Sequence, residues 1–287
     1  MRVAYISDLH GSMKHYEAVL AAAHRRDCGA IIFGGDLAPK NFRDGKFVQH
    51  QVDWHRNTLF PLLEQFRLKR PRTRIFFIMG NDDSRAAEKL FADRDGDIIE
   101  YLHLKSAELE PGLLLSGYNC VDISPFPLKD FERWDKRSGI LPAKMRLLNG
   151  VVTGEEMKLE YFKFEDDPVL SVLPTLEEEM APLAEKQKKG VSILVAHCPP
   201  IETSLDKMML GKHVGSLAVR EFIEKTQPAL SLHGHIHESP AMTGSYRDEI
   251  GSTICVNPGQ DPYKGIVHYV VFDTDNPGRR MEHFVEK

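Results

Sequence analysis

Five short polar clusters carry residue types able to hold metal ions: Asp8-Leu9-His10, Asp36, Asn81, His197 and His233-Gly234-His235-Ile236-His237. Taking Asp8, His10, Asp36, Asn81, His197, His235 and His237 together gives four imidazoles, two carboxylates and one amide oxygen, with no thiolate. Seven such groups are too many for one tetrahedral zinc and suit two ions sharing a bridge. Asp36 is the natural bridge, because a carboxylate has two oxygens and enough charge for both ions. Mixed imidazole and carboxylate ligation suits Mn, Fe, Zn, Co or Ni better than Mg or Ca, which prefer all-oxygen shells. Two ions about 3.5–4 Å apart hold a hydroxide between them and clamp a phosphate opposite it, an arrangement for in-line attack on phosphorus.

Residues so far apart in sequence need a scaffold that brings them to one place. Each cluster follows a short apolar run: Val3 to Ile6, Ala30 to Phe33, Arg74 to Met79, Ser192 to Ala196, and Ala229 to Leu232. These runs read as strands, and in an α/β sheet ligands bind at the strand C-termini. Helical stretches separate them. Ser12 opens one with Tyr16, Val19, Leu20 and Ala23 at period 3.6. A second carries Val52, Leu59, Leu62, Leu63 and Phe66, and Pro61 is expected to kink or split it. Ser84 and Ser216 are positioned to cap two more, and Thr175 to Glu178 fits a capping box. This alternation argues for a parallel α/β sheet. Gly112 to Gly117, Ser252 to Val256 and Gly265 to Phe272 read as further strands, with part of the C-terminal half expected to pair as antiparallel sheet. Gly11, Gly34, Gly35, Gly80 and Gly234 stand beside the ligand candidates, where the chain must turn closely.

The blocks Asp8-x-His10, Gly34-Gly35-Asp36, Gly80-Asn81-x-Asp83, His197 and Gly234-His235-x-His237 resemble the five signatures of the calcineurin-like metallophosphoesterases, in that family's order. The resemblance implies an α/β fold, a four-layer α/β/β/α sandwich of the metallo-dependent phosphatase type. It implies two divalent transition-metal ions, with Mn, Fe or Zn foremost. Asp8, His10, Asp36 and His237 would bind one ion, and Asp36, Asn81, His197 and His235 the other, with a bridging hydroxide as nucleophile. The third block departs from the family pattern. It reads Gly80-Asn81-Asp82-Asp83, where the family usually has a histidine after the asparagine. That histidine is credited with protonating the leaving group and contacting the phosphate. A carboxylate with an ordinary pKa near about 4 would repel a phosphate, and Asp82 serves as a catalytic acid only if its site raises its pKa. The expectation is an enzyme that favours diesters, or other esters with good leaving groups. Gly211-Lys212-His213-Val214-Gly215-Ser216 precedes a helix, whose N-terminus attracts anions. His213 and Ser216 are therefore expected to meet a substrate phosphate together with Asn81.

The 287 residues read as one domain over 1–287, with an insert or cap at about 119–190 that decides the substrate. A net charge of −5 favours a small phosphate ester over nucleic acid, which needs a basic field. No apolar run approaches the ~18 residues of a membrane span, and no secretory signal is visible. Cys28, Cys120, Cys198 and Cys255 are scattered and read as reduced thiols, so a cytoplasmic location is expected. Trp134, Tyr161, Phe162 and Phe164 are expected to form a small core under the insert. His233 should face away from the ligands, and the basic run Arg67 to Arg74 should be a helix end and turn. Two other readings compete: a catalytically weak regulatory or scaffold protein of the same fold, and a nuclease using the same metal core.

Overall fold

The computed structural model describes residues 1–40, 45–137, 149–154, 157–163, 169–187, 189–209, 211–261 and 264–287. Short runs that are apolar on both faces become buried parallel strands joined by helices. The first half runs β1 (Arg2–Ile6), α1 (Met13–Arg25), β2 (Ala30–Gly34), α2 (Phe47–Trp54), α3 (Phe60–Lys69), β3 (Arg74–Ile78), α4 (Arg85–Asp93) and β4 (Glu100–Tyr101). Then come β5 (Lys105–Glu110), β6 (Leu113–Tyr118), β7 (Val121–Asp122), β8 (Glu132–Arg133), β9 (Asn149–Thr153), β10 (Leu159–Lys163) and α5 (Leu176–Lys186). The chain ends with β11 (Ser192–Ala196), α6 (Leu217–Thr226), β12 (Leu230–Leu232), α7 (Ser239–Thr243), β13 (Arg247–Ile250), β14 (Thr253–Val256), β15 (Val267–Asp273) and β16 (Met281–Glu286).

Two six-stranded sheets result, in the orders β16-β15-β1-β2-β3-β4 and β13-β14-β12-β11-β6-β5. Each has four adjacent parallel strands, β1 to β4 reaching one edge of the first sheet and β14, β12, β11 and β6 in the middle of the second. Antiparallel strands flank them: β15 and β16 in the first sheet, β5 and β13 in the second. Side chains alternate across a strand, so each sheet has two apolar faces. Val3, Tyr5, Ile32, Phe76 and Ile78 meet Leu115, Ile193, Val195, Leu230 and Leu232 between the sheets. On the outer side, Ile31, Phe33 and Phe77 pack with Tyr16, Leu63 and Phe91 from α1, α3 and α4. Leu194 and Ala196 pack with Met180, Val219 and Phe222 from α5 and α6. These are the four layers α/β/β/α.

Pro61 neither breaks nor ends its helix. The chain stays helical from α2 to α3 through a π turn at His55–Leu59, and Pro61 enters at the start of α3. The wider turn accommodates the missing N–H of the proline. His55 in this turn is buried against Trp54, Phe60 and Phe91, with no hydrogen bond to either ring nitrogen, and burial pushes its pKa down to about 3. Ser216 and the Thr175–Glu178 capping box cap their helices as expected. Ser12 and Ser84 occupy cap positions without a side-chain cap bond, and the Ser12 hydroxyl instead meets His15 Nδ1 at 2.6 Å. Trp134 and Phe162 share a small cluster with Leu170, whereas Tyr161 is exposed and Phe164 lies outside the described residues. All four cysteines are free and buried. Among the described residues no helix is long and apolar enough to cross a membrane.

Candidate metal centre

The loops after β1 and β2 continue the pairing of their strands. Asp8 N donates to Gly35 O at 3.0 Å, His10 N to Asp36 O at 2.9 Å, and Gly11 N to Leu37 O at 2.8 Å. This lays Asp8 and His10 beside Asp36. The loop after β3 is then tied to both. Asp82 N donates to Asp36 Oδ1 at 2.8 Å. The buried Asp83 carboxylate accepts from Leu37 N (2.9 Å), Ala38 N (3.1 Å) and Gly80 N (3.0 Å). Gln51 of α2 grips the same loop, donating to Asp82 O at 2.7 Å and accepting from Ser84 N at 2.8 Å. The second sheet contributes the loops after β11 and β12. Gly234 N donates to His197 O at 3.0 Å, and Asn257 Nδ2 reaches Gly234 O and Ile236 O at 3.1 Å each. His235 N donates to Asp8 Oδ1 at 3.0 Å, which joins the two sheets.

Close approach has a backbone cost. Asp8, His10, Asp36 and His235 all have left-handed backbone, with φ of 58°, 44°, 53° and 66°. Such conformations persist in non-glycine residues only where the surroundings enforce them. At Gly80 a Cβ would lie 2.3 Å from Asp36 Oδ1 and 2.5 Å from His197 Nε2, so only glycine fits behind these groups.

Asp8, His10, Asp36 and His237 each point one ligand atom into a common space, all within 4.8 Å of one another. His10 Nε2 and His237 Nε2 are 3.1 Å apart, and His237 Nε2 is 3.2 Å from Asp8 Oδ1. Asp36 faces two ways. Its Oδ2 is 3.7 Å from His10 Nε2, and its Oδ1 is 3.5 Å from His197 Nε2. The His197 Nδ1 hydrogen is spent on Gly34 O at 2.7 Å, which turns Nε2 toward the carboxylates. The half-buried ring of His235 is 5.5 Å from that of His197.

The residues fit metal ions on a direct test. Asp8 Oδ2, His10 Nδ1, Asn81 Oδ1 and His197 Nε2 are buried and have no hydrogen-bond partner. Buried polar atoms are normally satisfied, so this concentration in one place points to cations as partners. The protonation pattern agrees. Burial acts against ionised Asp8, yet His237 and His197 hold its carboxyl down to about 2. Burial acts against a charged His197, yet Asp36 and Asp8 push it up to about 9. Burial foremost takes His10 and His235 down to about 3. Two ionised carboxylates thus lie among imidazoles, two of which stay neutral and available as ligands.

Asp82 is buried beside this group, its Oδ2 ion-paired with Lys40 Nζ and 4.0 Å from His10 Nδ1. Burial, then Asp36, push its carboxyl well above the ordinary range, while Lys40 pulls the other way. His213 stands apart: its ring is partly exposed, Nδ1 is 2.7 Å from Asp206 Oδ1, and among the described residues no hydrogen bond or ion pair links it to the cluster. Ser216 is buried, caps α6 through Val219 N at 3.0 Å, and donates to Asp135. Asp135 also accepts from Leu217 N at 2.8 Å, so a carboxylate of the chain already meets this helix end. His233 turns away, as expected, bonding Ser231 Oγ at 2.7 Å and Ala196 O at 2.9 Å. The residues that sequence reasoning passed over are Lys40, Gln51 and Asn257, and the tie made by Asp83. Only Asp83 carried a signal, its place in the third block.

A four-layer sandwich with a buried Asp/His cluster at its strand ends is the frame of a metal-binding hydrolase. The chain belongs to the calcineurin-like phosphoesterase family, whose pattern it matches over residues 1–239. Solved structures share the fold. One crystal structure has a TM-score of 0.64 at 14% identity, covering 100% of this chain and 99% of its own. A protein of Thermus thermophilus has a TM-score of 0.58 at 15% identity, covering 99% and 98%. A dimetal phosphatase from Danio rerio has a TM-score of 0.55 at 13% identity, covering 99% and 95%. No curated protein matches the chain.

Proposed function

We propose that the protein is a cytoplasmic, dinuclear metal-dependent phosphoesterase acting on a small phosphate ester, with diesters preferred to monoesters. The observation that carries this reading is Asp36, whose two oxygens face His10 and His197 separately, as a shared ligand requires. Asp8, His10, Asp36 and His237 would hold one ion; Asp36, Asn81, His197 and His235 would hold the other. Manganese, iron and zinc suit this donor set. When bound, such ions lower the pKa of an attacking water and polarise the phosphate. The chain's own residues orient the site: the His197–Gly34 bond fixes one imidazole, and the Asp8–His235 bond fixes one loop against another. Asn81 Oδ1 is buried without a hydrogen-bond partner, which supports a role for it toward ion and substrate. Asp82 offers no imidazolium to the leaving group, which favours esters whose leaving group needs little protonation. His213, held by Asp206, would be an outlying phosphate contact, with Ser216 supporting it through the start of α6. A fold neighbour described as a dimetal phosphatase supports the reading at the level of fold.

The test is metal content together with hydrolysis of aryl phosphate mono- and diesters. Two ions per chain are expected, with faster turnover of diesters. Asp36→Asn should lose metal and more than about a hundredfold in activity, since even indirect support of a metal ligand is worth about 10–100-fold. His213→Ala should raise KM, and unchanged kinetics would remove that contact. A chain that takes up no metal would overturn the proposal. Two bound ions without turnover of either ester would instead fit the regulatory reading.

A further inference from the structure

A buried carboxylate beside a site for an anionic substrate poses an electrostatic problem. Asp82 lies 4.0 Å from His10 Nδ1, and its backbone N–H is bonded to Asp36. Its ionised form, which pairing with Lys40 favours against burial, would repel an approaching phosphate. The structure answers with Lys40, whose Nζ is ion-paired with Asp82 Oδ2. The Lys40 side chain is 25% exposed, so its charge sits at the boundary between the cluster and solvent. That charge stands close to the ligand group, since the Asp82 Oδ2 it pairs with is 4.0 Å from His10 Nδ1. The Phe126 ring, half exposed, lies 5.7 Å from Nζ, within reach of a cation–π contact. The bond to Asp82 fixes where the charge of this flexible side chain lies.

We propose that Lys40 is a substrate-binding residue, its ammonium held in place by Asp82 so as to contact a phosphate oxygen of the bound ester. This rests on the phosphoesterase reading above, and it gives Asp82 a positioning role. A bare carboxylate at position 82 would hinder substrate. A carboxylate that fixes a lysine turns the same position into an anion-binding one.

The experiment measures binding of inorganic phosphate to the metal-loaded protein by calorimetry, beside KM and kcat for an aryl diester. Lys40→Met should weaken phosphate binding and raise KM by about 10–100-fold, the range of one charge-assisted hydrogen bond, with metal content unchanged. Lys40→Arg should recover most of the loss. The decisive variant is Lys40→Met combined with Asp82→Asn. If Lys40 contacts phosphate, the double variant regains only the part of the loss owed to the bare carboxylate and stays well below wild type. If Lys40 only neutralises Asp82, the double variant recovers wild-type phosphate binding, and the proposal is overturned. Wild-type phosphate affinity in Lys40→Met alone would overturn it too. A wild-type protein without metal or turnover would instead strike the phosphoesterase reading, so the two failures are distinguishable.

Discussion

On the proposed reading, Asp82 and its neighbours would govern how the site treats a departing oxygen. Burial and Asp36 disfavour its ionised form, and Lys40 favours it, so the residue is committed to this local balance. Neither partner resembles an imidazolium near its working pKa, the usual donor of a proton to a leaving group. Asp82→His should therefore raise turnover of esters with poor, alkyl-type leaving groups by about tenfold or more and leave aryl esters nearly unchanged. A plot of log kcat against leaving-group pKa should flatten in the variant. A parallel displacement of the whole line would refute a leaving-group role. At this scale the ligand candidates were legible because few residue types bind such ions and each followed an apolar run. Lys40 was not, because a lysine four residues beyond Asp36 has no pattern to mark it, and only folding brings it to Asp82.

Among the elements, the loops after β2 and β3 act as one piece through Asp83. Its carboxylate receives three backbone N–H groups from both loops inside the protein. Asp83→Ala leaves three buried donors without an acceptor, at about 1–3 kcal/mol each. Urea unfolding should show a loss of about 3 kcal/mol or more, with Asp83→Asn intermediate because one acceptor oxygen survives. A loss below about 1 kcal/mol would mean that the loops hold each other without it. The central strands were readable because a strand covered on both faces is a continuous apolar run, as in Ser192 to Ala196. The flanking strands β5, β13 and β16 were not. Arg247–Ile250 and Met281–Glu286 are half exposed and carry charged residues, as strands at the rim of a sheet do. The π turn before Pro61 also escaped, since a helix can absorb a proline by widening, and composition does not distinguish that from a break.

For the whole molecule, the two sheets are built alike and contribute unlike atoms. The loops of the first sheet bring the oxygen donors Asp8, Asp36 and Asn81 with one imidazole, His10. Those of the second bring only imidazoles: His197, His235 and His237. Among the described residues the two sets of loops already meet at the site through His235 N and Asp8, His237 and Asp8, His10 and His237, and His197 Nδ1 and Gly34 O, and an ion they share would add a further link. The choice of ion thus becomes a mechanical matter. A hard ion such as Mg is satisfied by oxygen and would engage one sheet, whereas Mn or Zn would engage both. At 100 times its dissociation constant any ion adds about 2.7 kcal/mol of stability, so thermal shifts should be compared at equal saturation. Under those conditions Mn or Zn should slow amide exchange in the loops after β11 and β12 as well as those after β1, β2 and β3, while Mg slows only the latter. Equal protection by all three ions would show that the sheets are coupled without the imidazoles. Otherwise the exchange pattern separates an ion gripped from both sheets from one gripped by the first sheet alone, so loop mobility becomes a readout of ligand chemistry.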